Sequence, residues 1–169
     1  MKSLSELLDI RAKLIKDNQE SESRTINDDD CAFLYNFIKL HAVTTAVEIG
    51  TWLGTSAMIM AECGVEVWTC DQHKMFTYKH PKIHYYNMWS TAFLKKLKKD
   101  KLKFDMAFLD GRLMNEDVKR MVKLLNSKAS ILTHDYMGNA KGVRNFKSLK
   151  KYIGEIEVHG VIGVTCLKK

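Results

Sequence analysis

The segment TAVEIGTWLGTS, residues 45–56, is the most telling dozen in this chain. Its first five residues are mostly apolar, broken by the acid Glu48, and suit a short buried strand. Two glycines follow within five positions, Gly50 and Gly54, where a backbone can turn sharply. From Ser56 onward the text SAMIMAEC continues as an apolar helix. Strand, glycine turn and helix in that order open a βαβ unit, in which the turn lies where ligands bind.

The same alternation recurs outward from this segment. Apolar runs at Thr45–Ile49, Val65–Cys70, Ile83–Tyr86, Phe104–Leu109 and Ser130–Thr133 each end in or beside a polar residue. Helical patterns fall near Ser56–Cys63, Thr91–Lys99 and Glu116–Asn126, and another near Val143–Tyr152. Strands joined by helices of about ten residues imply parallel strands with right-handed crossovers. The last two runs, Ile153–Val158 and Val161–Leu167, are split by His159-Gly160 and read as an antiparallel hairpin at one sheet edge. The expected fold class is therefore α/β: Rossmann-like, doubly wound, with a mostly parallel seven-stranded sheet and a C-terminal antiparallel hairpin.

Upstream, Ser3 to about Lys16 reads as a helix with Ser3 and Glu6 as a capping box. A polar stretch from Asp17 to Asp30 follows, and Asp28–Asp30 are expected to N-cap a second helix bearing Phe33, Leu34, Phe37 and Ile38. Residues 1–169 are expected to form one domain, with 1–27 packed on its core or capping it. A chain of 169 residues, 46% hydrophobic and 28% charged, has the composition of one packed domain. No apolar run reaches the roughly 18 residues of a membrane span, and MKSLSELLDI lacks the apolar block of a secretion signal. The four cysteines have no C-x-x-C pair and read as reduced core thiols, so a cytoplasmic location is expected. The net charge of +7 is densest at Lys95, Lys96, Lys98, Lys99, Lys101 and Lys103. These alternate with Phe93, Leu94, Leu97 and Leu102 as the wet face of an amphipathic helix; an anion-binding patch is the competing reading.

In an open parallel sheet, ligands bind beyond the carboxyl ends of the strands. Four of the five central runs deliver an acid there: Glu48, Asp71, Asp110 and Asp135. Asp71 follows Gly50 at the distance of about twenty residues where an acid meets ribose hydroxyls. Yet Trp52 stands where a dinucleotide fingerprint has its second glycine, so a pyrophosphate would lack room. A nucleoside without phosphates fits better, and no P-loop is present.

With those residues in view, AVEIGTWLGTSAMIMA resembles the first motif of class I S-adenosylmethionine-dependent methyltransferases. It is most similar to the small O-methyltransferase branch that includes catechol-type enzymes and sugar or antibiotic tailoring enzymes. FDMAFLDG, ILTHDY and Gly142-Val143 extend the resemblance from about Asp28 to the C-terminus. The resemblance implies S-adenosylmethionine as cofactor and transfer of its methyl group to a small hydroxylated acceptor. Glu48, the Gly50, Thr51, Trp52 and Gly54 turn, and Thr55 and Ser56 would hold the methionine end. Asp71 would accept the ribose hydroxyls, and Gln72, Met88, Trp89 and Ser90 would border the adenine. Asp110 would lie beside the transferable methyl, and Tyr136 or Trp52 would flank the acceptor. In that branch a divalent ion such as magnesium often lowers the acceptor's pKa, and Asp110, His134 and Asp135 match its ligand positions; without an ion, His134 is the candidate base. The branch's Lys or His three residues after the FLDG aspartate is here Leu113, preceded by Arg112.

Two other readings stand beside this one. One is a cofactor-binding protein without methyl transfer; the other is an RNA methyltransferase, encouraged by charge alone. A homodimer is left open. The loop Tyr136–Lys141 and the first thirty residues are expected to shape the acceptor pocket.

Overall fold

The computed structural model describes residues 2–136 and 140–168. Two helices precede the sheet, α1 (Leu4–Asp17) and α2 (Asp28–His41), with a short 3-10 turn (Glu22–Arg24) between them. Then follow β1 (Thr45–Ile49), α3 (Thr55–Glu62), β2 (Glu66–Asp71), β3 (Ile83–Asn87), α4 (Ser90–Lys99) and β4 (Phe104–Leu109). The rest is α5 (Asn115–Leu124), β5 (Leu125–Thr133), α6 (Ala140–Leu149), β6 (Ile153–His159) and β7 (Ile162–Leu167).

The strands form one seven-stranded sheet in the order β3-β2-β1-β4-β5-β7-β6. β1 to β5 pair in parallel, and β7 pairs antiparallel with both β5 and β6. The expected sheet and hairpin are what is found. Several boundaries move: β5 begins at Leu125 rather than Ser130 and so ends α5 at Leu124, α6 runs over Ala140–Leu149 rather than Val143–Tyr152, and β6 runs on through His159, so the turn falls at Gly160-Val161, with Gly160 at φ +60°. β1 lies mid-sheet with β2 and β4 on either side. The chain reverses its direction of winding there, which opens a crevice beyond the strand ends.

Two apolar clusters sandwich the sheet. α1, α2 and α3 cover one side through Leu7, Leu34, Ile38, Met58 and Met60, packed against Ala46, Met106 and Phe108. α4, α5 and α6 cover the other through Phe93, Leu97, Met121 and Leu149, packed against Val47, Ile49 and Leu109. Alternate residues of β1 thus face opposite layers, as the two-residue period of a strand requires. Each of the larger of these side chains, Val, Leu, Ile, Phe or Met, contributes about 1.5–3 kcal/mol by leaving water.

The N-terminal helix has the expected Ser3–Glu6 capping box, and its Leu7 is wholly buried in the first cluster. Buried Arg11 ties α1 to the following link, donating to the Ile26 carbonyl, Asp28 and Thr25. The second helix is capped differently from expectation. Asn27, not Asp28–Asp30, is the N-cap, and Asp30 is the third helical residue that completes the box. On α4 the lysines lie on the solvent side, while Phe93, Leu94 and Leu97 are fully buried. Among the described residues no helix is long and apolar enough to cross a membrane.

Candidate active site

The turn after β1 is held by the backbone of its neighbours. Gly50 and Thr51 both donate to the Cys70 carbonyl at the end of β2, at 3.0 and 3.2 Å. The Ile49 carbonyl accepts from Asp110 and Gly111, at 2.9 and 2.5 Å. Gly50 adopts φ +98°, and a Cβ on it would come within 2.5 Å of the Gly111 nitrogen. Only glycine lets these two turns touch. Trp52 takes the left-handed conformation at φ +46° and donates its backbone N–H to Asp71 Oδ2 at 2.9 Å. His73 N donates to Asp71 Oδ1 at 2.8 Å. Each Asp71 oxygen therefore has one backbone donor and retains capacity for another.

Glu48 lies behind this turn, fully buried, and does not line the cavity in front of it. Its carboxyl receives hydrogen bonds from Ser56 Oγ and from Thr69 Oγ1, which in turn is 2.5 Å from Thr51 Oγ1. Burial pushes its pKa up, the two hydroxyl donors oppose that, and the outcome is about 8. At neutral pH the group is mostly a neutral acid.

A cavity of about 390 Å³ opens beyond the ends of β1, β2 and β4, within the range of about 300–1,000 Å³ typical of ligand clefts. Of the sequence-predicted residues it brings together Gly50, Trp52, Asp71, Gln72, Met88, Trp89, Ser90 and Asp110. Thr51, Thr55 and Ser56 instead line a narrow adjoining crevice with Trp52 and Asp110. Trp89 is 69% exposed although it borders the cavity. Ser90 Oγ donates to buried Asp117, which fixes the start of α4. Two buried polar atoms have no partner among the described residues, Trp52 Nε1 and Thr55 Oγ1, both at this turn. Unpaired buried donors cost about 1–3 kcal/mol each, so their concentration here fits a site completed by a polar ligand. Gly54, at φ +85°, has the Phe76 ring 2.3 Å from where a Cβ would lie. Tyr136 turns away: it packs edge-on against Phe146 and does not line the cavity.

Beside the cavity lies a cluster of charges. His134 Nδ1 is 3.1 Å from Asp110 Oδ1 and 3.5 Å from Asp135 Oδ2, and its Nε2 is 3.2 Å from Asp30 Oδ2. Lys141 Nζ donates to Asp110 Oδ1 at 2.5 Å and lies 3.2 Å from Asp135 Oδ2. Burial alone would depress the His134 pKa; the hydrogen bonds to Asp110 and Asp30 and the charges of Asp110 and Asp135 outweigh it and raise it to about 10. Burial also opposes ionisation of Asp110, but His134 and Lys141 carry its pKa below the ordinary value. Lys141 is held above its ordinary value by Asp110 and Asp135 against the opposing effect of burial.

The donors of Asp110, His134 and Asp135 do converge, all within 4.8 Å of one another. Their present arrangement does not offer an open coordination site. The Lys141 ammonium bridges the two aspartates, and both imidazole nitrogens face carboxylates, so the ring is a double donor without a free lone pair.

Three contributors lie in the segments expected to shape the acceptor pocket but were not singled out as site residues. Lys141 comes from the first turn of α6, Asp30 from α2, and Arg24 lines the cavity from the 3-10 turn. Asp30 carried a local signal, but it was that of a helix start. Arg24 and Lys141 carried only the signal of their segments, because nothing in their spacing relates them individually to the strand ends. Leu113 is 1% exposed within the second apolar cluster. Buried Asn145 holds its loop by accepting from Leu113 N and donating to the Gly111 carbonyl. Residues 137–139 of the expected pocket loop lie outside the described residues.

This architecture is the Rossmann-like fold of S-adenosylmethionine-dependent O-methyltransferases. The chain is similar to TomG, the O-methyltransferase from Streptomyces achromogenes involved in tomaymycin synthesis, in complex with SAM. That match has a TM-score of 0.74 and 14% identity over 100% of this chain and 91% of that one. An O-methyltransferase from Bacillus cereus in complex with SAH matches with a TM-score of 0.66 and 15% identity, over 100% of this chain and 92% of that one. The methyltransferase MycE from the mycinamycin biosynthetic pathway, in complex with Mg and SAH, matches at 0.64 and 13%, over 93% of this chain and 54% of that one. At these identities the likeness is one of fold. No protein-family model matches the sequence, and no curated protein matches it.

Proposed function

We propose that the chain is an S-adenosylmethionine-dependent O-methyltransferase acting on a small hydroxylated acceptor. The observation that carries this reading is Asp71. It has oxygen capacity to spare at the rim of the cavity, while its backbone contacts lock the Gly50–Trp52 turn. That is the arrangement a ribose diol needs.

When bound, the cofactor supplies a methyl group on a sulfonium. The chain has to bind, orient and exclude water. Met88, Trp89 and Ile49 offer apolar walls for a flat base. Thr55 Oγ1 and the turn above Glu48 are suited to the amino-acid end. Asp110, at the junction of the cavity and the charge cluster, suits the neighbourhood of the sulfonium. Arg24 and Arg112 border the same cavity, so the acceptor is expected to carry a carboxylate or phosphate besides its hydroxyl. Three buried free thiols agree with a reducing compartment such as the cytoplasm.

Calorimetry with S-adenosylmethionine tests the reading. Asp71→Ala is expected to weaken binding at least about a hundredfold, the worth of two hydrogen bonds to a charged acceptor. Unchanged affinity in a folded variant would remove the ribose assignment. Transfer of labelled methyl to a panel of anionic hydroxylated compounds then tests the activity. One observation favours the second reading, cofactor binding without transfer: Leu113 is apolar and His134 is cationic, so neither is a ready base. Sound binding with no transfer across the panel would select it. RNA methylation gains no support. The lysines of α4 extend toward its C-terminal end, up to about 15 Å along the helix from the cavity-lining Ser90.

A further inference from the structure

We infer that the ammonium of Lys141 occupies the place of a divalent cation, so that this chain orients its acceptor with a fixed lysine and takes no metal. The aspartates at the ends of β4 and β5 both contact Lys141 Nζ, at 2.5 and 3.2 Å. His134, between Asp110 and Asp30, fills the opposite side of the same cluster. Three carboxylates thus face two cationic side chains. The one negative charge left over suits a single sulfonium, whereas a divalent ion added to this set would leave it at +1 before the sulfonium arrives, and would have to enter where the ammonium already sits between the two aspartates.

The fold shows how the lysine is delivered. Lys141 lies in the first turn of α6, where a cation opposes the helix dipole and is disfavoured unless acids offset it. Asp135 adopts φ +56°, which turns the chain sharply at the end of β5. Gly142 then packs so closely on it that a Cβ would fall 2.0 Å from the Asp135 carbonyl oxygen. Any side chain there would lift α6 and withdraw the ammonium. Lys141 also lines the cavity, so it can reach an acceptor oxygen. On the methyl-transfer reading, on which this consequence rests, the acceptor oxygen forms the new O–C bond as the S–C pair returns to sulfur. The hydroxyl proton passes to water while the ammonium offsets the charge developing on oxygen.

The test needs neither cofactor nor acceptor, so its failure is distinct from failure of the methyltransferase assignment. Manganese(II) binding is followed by electron paramagnetic resonance and calorimetry in the unchanged protein, Lys141→Met and Lys141→Arg. The unchanged protein and Lys141→Arg should show no saturable site. Lys141→Met should bind manganese at least about a hundredfold more tightly, because a positive charge beside two carboxylates has gone. Asp135→Asn added to Lys141→Met should abolish that gain. Saturable binding in the unchanged protein that Asp135→Asn removes would overturn the inference. So would a folded Lys141→Met that binds no manganese. If Lys141→Met fails to fold, Lys141→Gln takes its place in the same comparison. Wherever methyl transfer is measurable, excess chelator should leave its rate unchanged, and a loss of turnover restored by magnesium would also overturn it.

Discussion

Replacing Glu48 by glutamine should remove a pH dependence of stability that the wild-type fold carries. The side chain is wholly enclosed and accepts from Ser56 and Thr69, and burial lifts its pKa from 4.5 to about 8. Below pH 4.5 the folded and unfolded chains both hold the proton. Between there and about pH 8 the unfolded chain has released it while the folded chain retains it, so stability falls as pH rises. Above about pH 8 both are ionised and the loss is complete. At roughly 1.4 kcal/mol per pH unit, the fall amounts to an upper bound of about 5 kcal/mol. Glutamine matches the neutral acid in shape. Because Thr51 and Thr69 can exchange donor and acceptor roles, its amide NH2 finds a partner. Glu48→Gln should therefore unfold in urea at nearly the wild-type midpoint at pH 5, and be the more stable protein at pH 8.5. Titrations elsewhere cancel in the difference. Parallel stability curves from pH 5 to 8.5 would refute the buried neutral acid. If the cofactor's ammonium meets this carboxyl, wild-type binding at pH 7 should also release a proton, visible as a buffer-dependent heat that Glu48→Gln lacks.

Other expectations follow from single contacts. Gly50→Ala has to bear a left-handed φ, costing about 1–2 kcal/mol, and an overlap with the Gly111 backbone; denaturant titration should show a loss of about 3 kcal/mol or more, together with loss of cofactor binding. Leu113→Lys, which restores the residue type of the catechol-type branch, should not create a base. It buries a cation in the second apolar cluster, so thermal unfolding should show a destabilisation of about 3 kcal/mol or more and no gain in transfer rate. Arg112→Ala should raise KM for anionic acceptors by about tenfold and leave neutral ones unaffected, in steady-state kinetics with matched acceptor pairs. Ser3→Ala breaks the reciprocal cap of α1 and should lower the unfolding free energy by about 1 kcal/mol.

The fold was legible because its signals are local. The apolar period of β1, the glycine pair and the helix at residue 55 lie within eighteen positions, and each later strand repeats that grammar. The acids at the strand ends were legible for the same reason, since parallel strands must finish on one edge. Of the four expected acids, Asp71 and Asp110 line the cavity with Trp52 and Met88, whereas Glu48 is buried behind the turn and Asp135 lies in the charge cluster beside it. The start of α2 was misread by one residue, because any of Asn27 to Asp30 is a competent cap and only the backbone chooses among them.

Sequence by itself thus determined which backbone is built and where its ligand edge lies, since periodicity and turn chemistry act between near neighbours. The state of the charges on that edge was decided only by the tertiary structure. His134 meets an aspartate 104 positions away, and Lys141 meets one 31 positions away. Glu48 becomes a neutral acid because α3 and β2 close over it. Charge and desolvation depend on distance through space, which no spacing along a chain encodes.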